Sequence, residues 1–161
     1  MKPGAMSGRG PRHLVLAVLS LAGIWACAPW PVLQGFFHAF LVVGLVPEFR
    51  SRLTGVLWAA AAGWVLEGTL RTYPVLGGTP LADMLVGLVG AGIIRRWPPE
   101  QPKLFWLRSA GLALLQAGLV HACVRIAAGP HAWGLGWVGA LAGVPLWASL
   151  AFRVHRPLHW R

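Results

Sequence analysis

Apolar residues in this chain fall in long, nearly unbroken runs. They show neither the alternation of a half-buried strand nor the single stripe of a surface helix. The first run, Leu14 to Ala28, stops at Pro29-Trp30-Pro31. Each proline there removes an amide donor and clashes with the preceding turn. A second run spans Val32 to Val46, and the charged turn Pro47-Glu48-Phe49-Arg50-Ser51-Arg52 precedes a third from Leu53 to Leu70. Thr79-Pro80 is a start signal for a fourth, to Ile94, because threonine caps free amides and proline suits the first helical position. The polar, proline-rich stretch from Arg95 to Lys103 divides these from a fifth run, Leu104 to Ala127, and a sixth, Trp133 to Phe152.

Runs of this length predict an all-α integral membrane protein of about six transmembrane helices with short loops. The expected spans are 14–28, 32–46, 53–70, 80–94, 104–127 and 133–152. Together they form one transmembrane domain (14–152) between a cytoplasmic N-terminal tail (1–13) and a basic cytoplasmic tail (153–161). At 1.5 Å per residue the first two cover about 23 Å each, short of the roughly 30 Å hydrocarbon core, so this pair needs local bilayer thinning or shielding by neighbours. Arg9 and Arg12 ahead of an apolar run, with Ala26-Cys27-Ala28 after it, imitate a signal peptide. Pro29 would obstruct cleavage, however, and the first span is expected to stay in the mature protein.

Composition agrees with lipid as the solvent: 57% of the 161 residues are hydrophobic, and there are 21 glycines and 10 tryptophans. A soluble domain of this length has no interior large enough for so much apolar surface. The formal charge of +10 would elsewhere suggest nucleic acid, but these cations punctuate apolar runs instead of forming a patch, so no nucleic-acid partner is expected. They report topology and contacts to membrane lipids. Six spans put twelve of the 14 Lys and Arg on one side: Lys2, Arg9, Arg12, Arg50, Arg52, Arg95, Arg96, Lys103, Arg108, Arg153, Arg156 and Arg161. Only Arg71 and Arg125 fall on the other. Short basic loops resist translocation, so both termini are expected inside. Cys27 and Cys123 have no metal-ligand or redox spacing and read as small buried hydrophobes.

Charges inside spans are costly and therefore candidates for function. Glu67, Arg71, Asp83, His121 and Arg125 are all expected at the outer-leaflet level, as a polar cluster or partner interface. Glu67 sits near a helix C-terminus, where the dipole disfavours it, and needs a partner, most simply Arg71 four residues on. Asp83 suits the first turn of its own helix. His38, among Phe36, Phe37 and Phe40, reads as a core histidine bonded to a neighbouring carbonyl. Gly55, Ala59 and Gly63 form a small-residue stripe leading to Glu67, and Gly139 and Gly143 form another. Such stripes let backbones approach closely, inside the protein or against a partner.

Enzymatic readings find no footing. Ser20, Ser51, Ser109 and Ser149 lack the setting of an intramembrane serine protease. An aspartyl signal peptidase needs two aspartates and asparagine-containing motifs, whereas this chain has one aspartate and no asparagine. No catalytic residue, cofactor or metal site is expected.

Gly63-Trp64-Val65-Leu66-Glu67, the loop Gly77-Gly78-Thr79-Pro80-Leu81 and the glycine-rich Gly87-Leu88-Val89-Gly90-Ala91-Gly92 resemble the rod shape-determining protein MreD family. That family shows a glycine, an acid four residues on, a short Gly/Pro/Leu loop and a small-residue helix; Glu67 stands where it usually has aspartate. The resemblance implies a non-enzymatic scaffold of the cell-elongation machinery in the bacterial cytoplasmic (inner) membrane. Such a scaffold binds an MreC-like single-span protein and supports the RodA/penicillin-binding-protein pair that builds lateral peptidoglycan. The family's fold is similar to that of the substrate-binding subunits of energy-coupling-factor transporters, which makes a vitamin-type transporter subunit the alternative.

Overall fold

A computed structural model describes residues 10–49, 51–70, 77–96, 102–128 and 136–155. Those residues are helical and form no β-strand. The helices are α1 (Gly10–Ala26), α2 (Pro31–Ala39), α3 (Arg52–Leu70), α4 (Gly78–Arg96), α5 (Pro102–Ala128), α6 (Gly136–Ala142) and α7 (Val144–His155). Pro31 opens α2, where its missing amide proton would have had no partner. The helix continues without a stop through a π-helical stretch, Phe40–Leu45, and a 3-10 turn, Val46–Glu48.

This composite helix is the axis of the molecule and touches all six others. Leu41, Val42 and Leu45 are fully buried in it. Small residues set how closely its neighbours approach. Across the antiparallel contact of α2 and α6, Gly35 lies against the Gly136 carbonyl and Gly139 against the Val32 carbonyl, so a Cβ at either glycine would collide with backbone. The α3 stripe packs the same way: Gly63 faces Thr79 and Pro80 of α4, Ala59 is buried beside Gly87, and Gly55 lies over the Val46 carbonyl. Both stripes pack against other helices of the same chain.

The sixth expected span is two helices bent by 61°. Pro145 explains the break, since it has no amide proton to return to the turn before it and its ring crowds that turn. Trp147, fully buried, donates from Nε1 to the Ala140 carbonyl at 2.9 Å and ties the two pieces together.

Side-chain contacts order the helix ends. His13 at the start of α1 meets His155 at the end of α7, and Arg108 in the first turns of α5 meets Glu48 at the end of the α2 axis. At the opposite end, Gln34 in the first turn of α2 bonds the Ile24 carbonyl of α1 and Thr69 of α3. The chain therefore runs up and down, and Arg12, Arg52, Lys103 and Arg153 lie at or near helix ends on the His13–His155 side.

By length and composition, Pro31–Glu48 is the one helix among the described residues able to cross a membrane, and it is 67% buried; α6 and α7 qualify only as a bent pair. The apolar helices Arg12–Ala26 and Gly78–Ile94 are shorter. Arg52 and Glu67 in α3, and Lys103, Arg108 and Arg125 in α5, interrupt their apolar runs. By this measure the six spans expected from the sequence become one or two. Cys27 and Cys123 are both free and only half-buried, more exposed than expected.

Candidate functional site

Nine polar side chains point inward. His13, Ser20, Gln34, His38, Glu67, Thr79, Asp83, Ser109 and Gln116 are buried, while leucine, valine and tryptophan side chains of every helix long enough to have two faces lie exposed. Buried polar groups need partners, and six of these nine have gathered into three sets; Ser20 and Gln34 bond backbone carbonyls of α1, and Ser109 Oγ is buried without a partner.

The central set joins three helices. Asp83 of α4, with no exposed surface, receives the Nε2 proton of His38 on Oδ2 at 2.7 Å and the amide of Gln116, from α5, on Oδ1 at 3.0 Å. Gln116 Nε2 also faces His38 Nδ1 at 3.3 Å. An amide nitrogen is a donor, so His38 Nδ1 is an acceptor here and Nε2 carries the proton. Gln116 Oε1 is buried without a partner. The expectation that His38 bonds a backbone carbonyl is corrected: its partner is a carboxylate. Asp83 is not in the first turn of its helix as expected, because α4 begins at Gly78, which places Asp83 in the second turn, against the middle of the axis. Sequence reasoning missed Gln116 altogether. The signal was a glutamine inside an apolar run, which in a closed interior must find donors and acceptors on other helices.

The second set begins α4. Glu67, 4% exposed, accepts the Thr79 amide on Oε1 at 2.7 Å and the Gly77 amide on Oε2 at 2.8 Å. A carboxylate on free amides at a helix N-terminus is a favourable charge-assisted cap. Gly77 takes φ +97, a left-handed conformation that costs glycine nothing. The unfavourable dipole of α3 is thus offset by the favourable one of α4. The expected partner, Arg71, lies outside the described residues, and the partner seen for Glu67 is backbone. His121 is half-buried and Arg125 exposed on the last turns of α5. Of the five residues expected to converge, Glu67 and Asp83 are buried within one hairpin, and Cys123 lies within electrostatic reach of both.

The third set closes the opposite end. His13 Nε2 and His155 Nδ1 are 2.9 Å apart with their rings stacked, and His155 Nε2 donates to the Gly44 carbonyl at 2.9 Å. That carbonyl lies in the π-helical stretch, whose i to i+5 spacing alters the regular bonding ladder. Arg108 reaches Glu48 at 3.0 Å and lies 4.6 Å over the Phe105 ring, yet its Nε and Nη1 are buried without acceptors. Burial pushes the His155 imidazole down from its ordinary value, opposed by Glu48 and the Gly44 carbonyl. His155 stands beyond the last expected span.

No protein-family model, curated protein or solved structure matches this chain.

Proposed function

We propose that this protein is a non-enzymatic scaffold subunit of the bacterial cell-elongation machinery. In this reading it is embedded in the cytoplasmic membrane with both termini inside, and it binds an MreC-like single-span partner. Membrane embedding is supported above all by the inside-out distribution of side chains. Every long helix turns large apolar residues outward, such as Leu14 and Val18 of α1, Leu57 and Trp64 of α3 and Leu81 and Leu85 of α4, while buried polar groups face one another. In water that surface invites aggregation; in hydrocarbon it is the solvated surface. The shortfall in helix length is accommodated by thinning of the bilayer around the short helices.

A scaffold, as against a carrier, is supported by the way the acids are used. Glu67 and Asp83 are both occupied by donors from the same chain, so each binds helix to helix. The transporter reading needs those acids, with His121, to line an open ligand pocket, and their internal partners weigh against it. The elongation assignment itself rests on the resemblance to the MreD family.

Affinity purification of the tagged chain from native membranes tests this reading. Cell-wall partners, an MreC-like protein and the RodA/penicillin-binding-protein pair, are expected to co-purify. Recovery of an energising ATPase module in their place overturns it.

A further inference from the structure

The outward apolar faces of this bundle are of unequal height. On one side α1 packs on α3 and α3 on α4, forming a continuous wall. The apolar stretches of α1 and α4 run only from Arg12 to Ala26 and from Gly78 to Ile94, about 22 and 25 Å at 1.5 Å per residue. In α3 the exposed Trp64 lies about 18 Å from Arg52. Exposed tryptophan and arginine settle where lipid meets water, so they mark the edges of this wall; the exposed Trp25 does the same for α1.

The other wall is α5, which packs on α4, α6 and α7. Large apolar side chains point outward along it from Leu104 to Ile126, Leu107 and Leu114 among them, with Lys103 and Arg125 near the two ends. Arg108, Ser109 and Gln116 interrupt the run in sequence but are turned inward. The outward face of α5 therefore covers about 33 Å. Tilt does not remove the difference. At a common tilt of about 20° this face still spans about 31 Å, and tilting α1, α3 or α4 makes their wall shorter still.

We propose that the protein holds the bilayer at two thicknesses at once: near its full height beside α5, and thinner by about 8 Å beside α1, α3 and α4, where phospholipids with short acyl chains are the preferred neighbours. Sinking or rising in the membrane cannot match both walls, because the packed helices move together. Hydrocarbon of ordinary thickness would cover Arg12 and Arg52 on the short wall, whereas a bilayer thin enough for that wall would leave leucine and isoleucine of α5 in water. Each ångström of mismatch costs little, but over about 8 Å the costs accumulate and select shorter chains. This inference rests on the membrane reading above and not on which partner is bound.

Depth measurements on the full-length chain test it. Leu19→Cys, Leu57→Cys and Leu114→Cys, each near the middle of an exposed face, are made singly with Cys27→Ala and Cys123→Ala, labelled with a nitroxide and placed in vesicles of dioleoyl phosphatidylcholine. Electron paramagnetic resonance reads depth from the label's access to oxygen and to a water-soluble nickel complex. The label at 114 is expected about 15 Å below the nearer headgroups, and those at 19 and 57 at about 10 Å. In the shorter dimyristoleoyl phosphatidylcholine the depth at 114 should fall toward the other two. Equal depths at all three sites in the dioleoyl vesicles overturn the inference and leave membrane embedding standing; labels that all meet the nickel complex overturn the membrane reading with it. A second measurement needs no substitution. When the parent chain is released from bilayers of equal parts of the two lipids, native mass spectrometry should find the shorter one enriched about threefold among the lipids retained. Equal retention overturns the inference.

Discussion

The two ends of the helical bundle handle buried charge in opposite ways. Around α4, each carboxylate collects donors from elsewhere in the chain: His38 and Gln116 for Asp83, two backbone amides for Glu67. At the His13–His155 end the charge is a cation, Arg108, and much of its guanidinium rests on an aromatic ring with two nitrogens unpartnered. A carboxylate has two compact acceptor oxygens that a few N–H groups can fill. A guanidinium has five donors, and one glutamate satisfies only part of that fork. Acids therefore make specific ties between helices in this protein, whereas the arginine supplies a charge at a rim where basic side chains accumulate.

That contrast fixes an order of sensitivities. Asp83→Ala should be the most damaging change, since it strands His38 and Gln116 in the interior together; a loss of about 3–5 kcal/mol is expected in denaturant unfolding followed by tryptophan fluorescence. A loss below that of the Glu67 variant would break the comparison. Glu67→Gln keeps the shape but removes the charge from the α4 cap, and should cost about 1–2 kcal/mol, with faster amide exchange in the first turn of α4. Arg108→Met should be close to neutral, within about 1 kcal/mol, because the ring contact is kept and two unsatisfied donors are removed while one bond to Glu48 is lost.

The smallest effect concerns pH. His155 has its pKa lowered by burial. Its folded value lies below the unfolded one, so the unfolded chain binds the proton first and stability declines as pH falls from about 6.5 toward the folded value. In His155→Phe the slope of stability against pH over that window should flatten relative to the parent. An unchanged slope would show that the stacked histidines do not contribute to it.

Much of the architecture was legible in the sequence. Prolines at 31, 80 and 102 and the charged turns marked helix ends within a few residues, and five of six expected runs coincide with single helical courses. The sixth did not, although Pro145 stood in plain view inside it. An apolar run carries no mark of a kink beyond the proline itself, and only the packing of Trp147 against Ala140 holds the bend. The π-helical stretch of the second was equally silent: its apolar residues carry no mark of it, and the His155 that bonds its Gly44 carbonyl lies 111 residues on.

For the polar residues the division is sharper. The sequence by itself determined that Glu67, Asp83 and His38 sit within apolar runs, where an ionisable group demands a partner, and that small residues at intervals of four let helices touch. It did not determine who those partners are. A carboxylate's nearest sequence neighbours at helical spacing, such as Arg71 for Glu67, are only candidates. The donors that reach Asp83 come from 45 residues before it and 33 after it, distances over which spacing carries no geometric information. Only the packing of α4 and α5 against the α2 axis brought them to a single point.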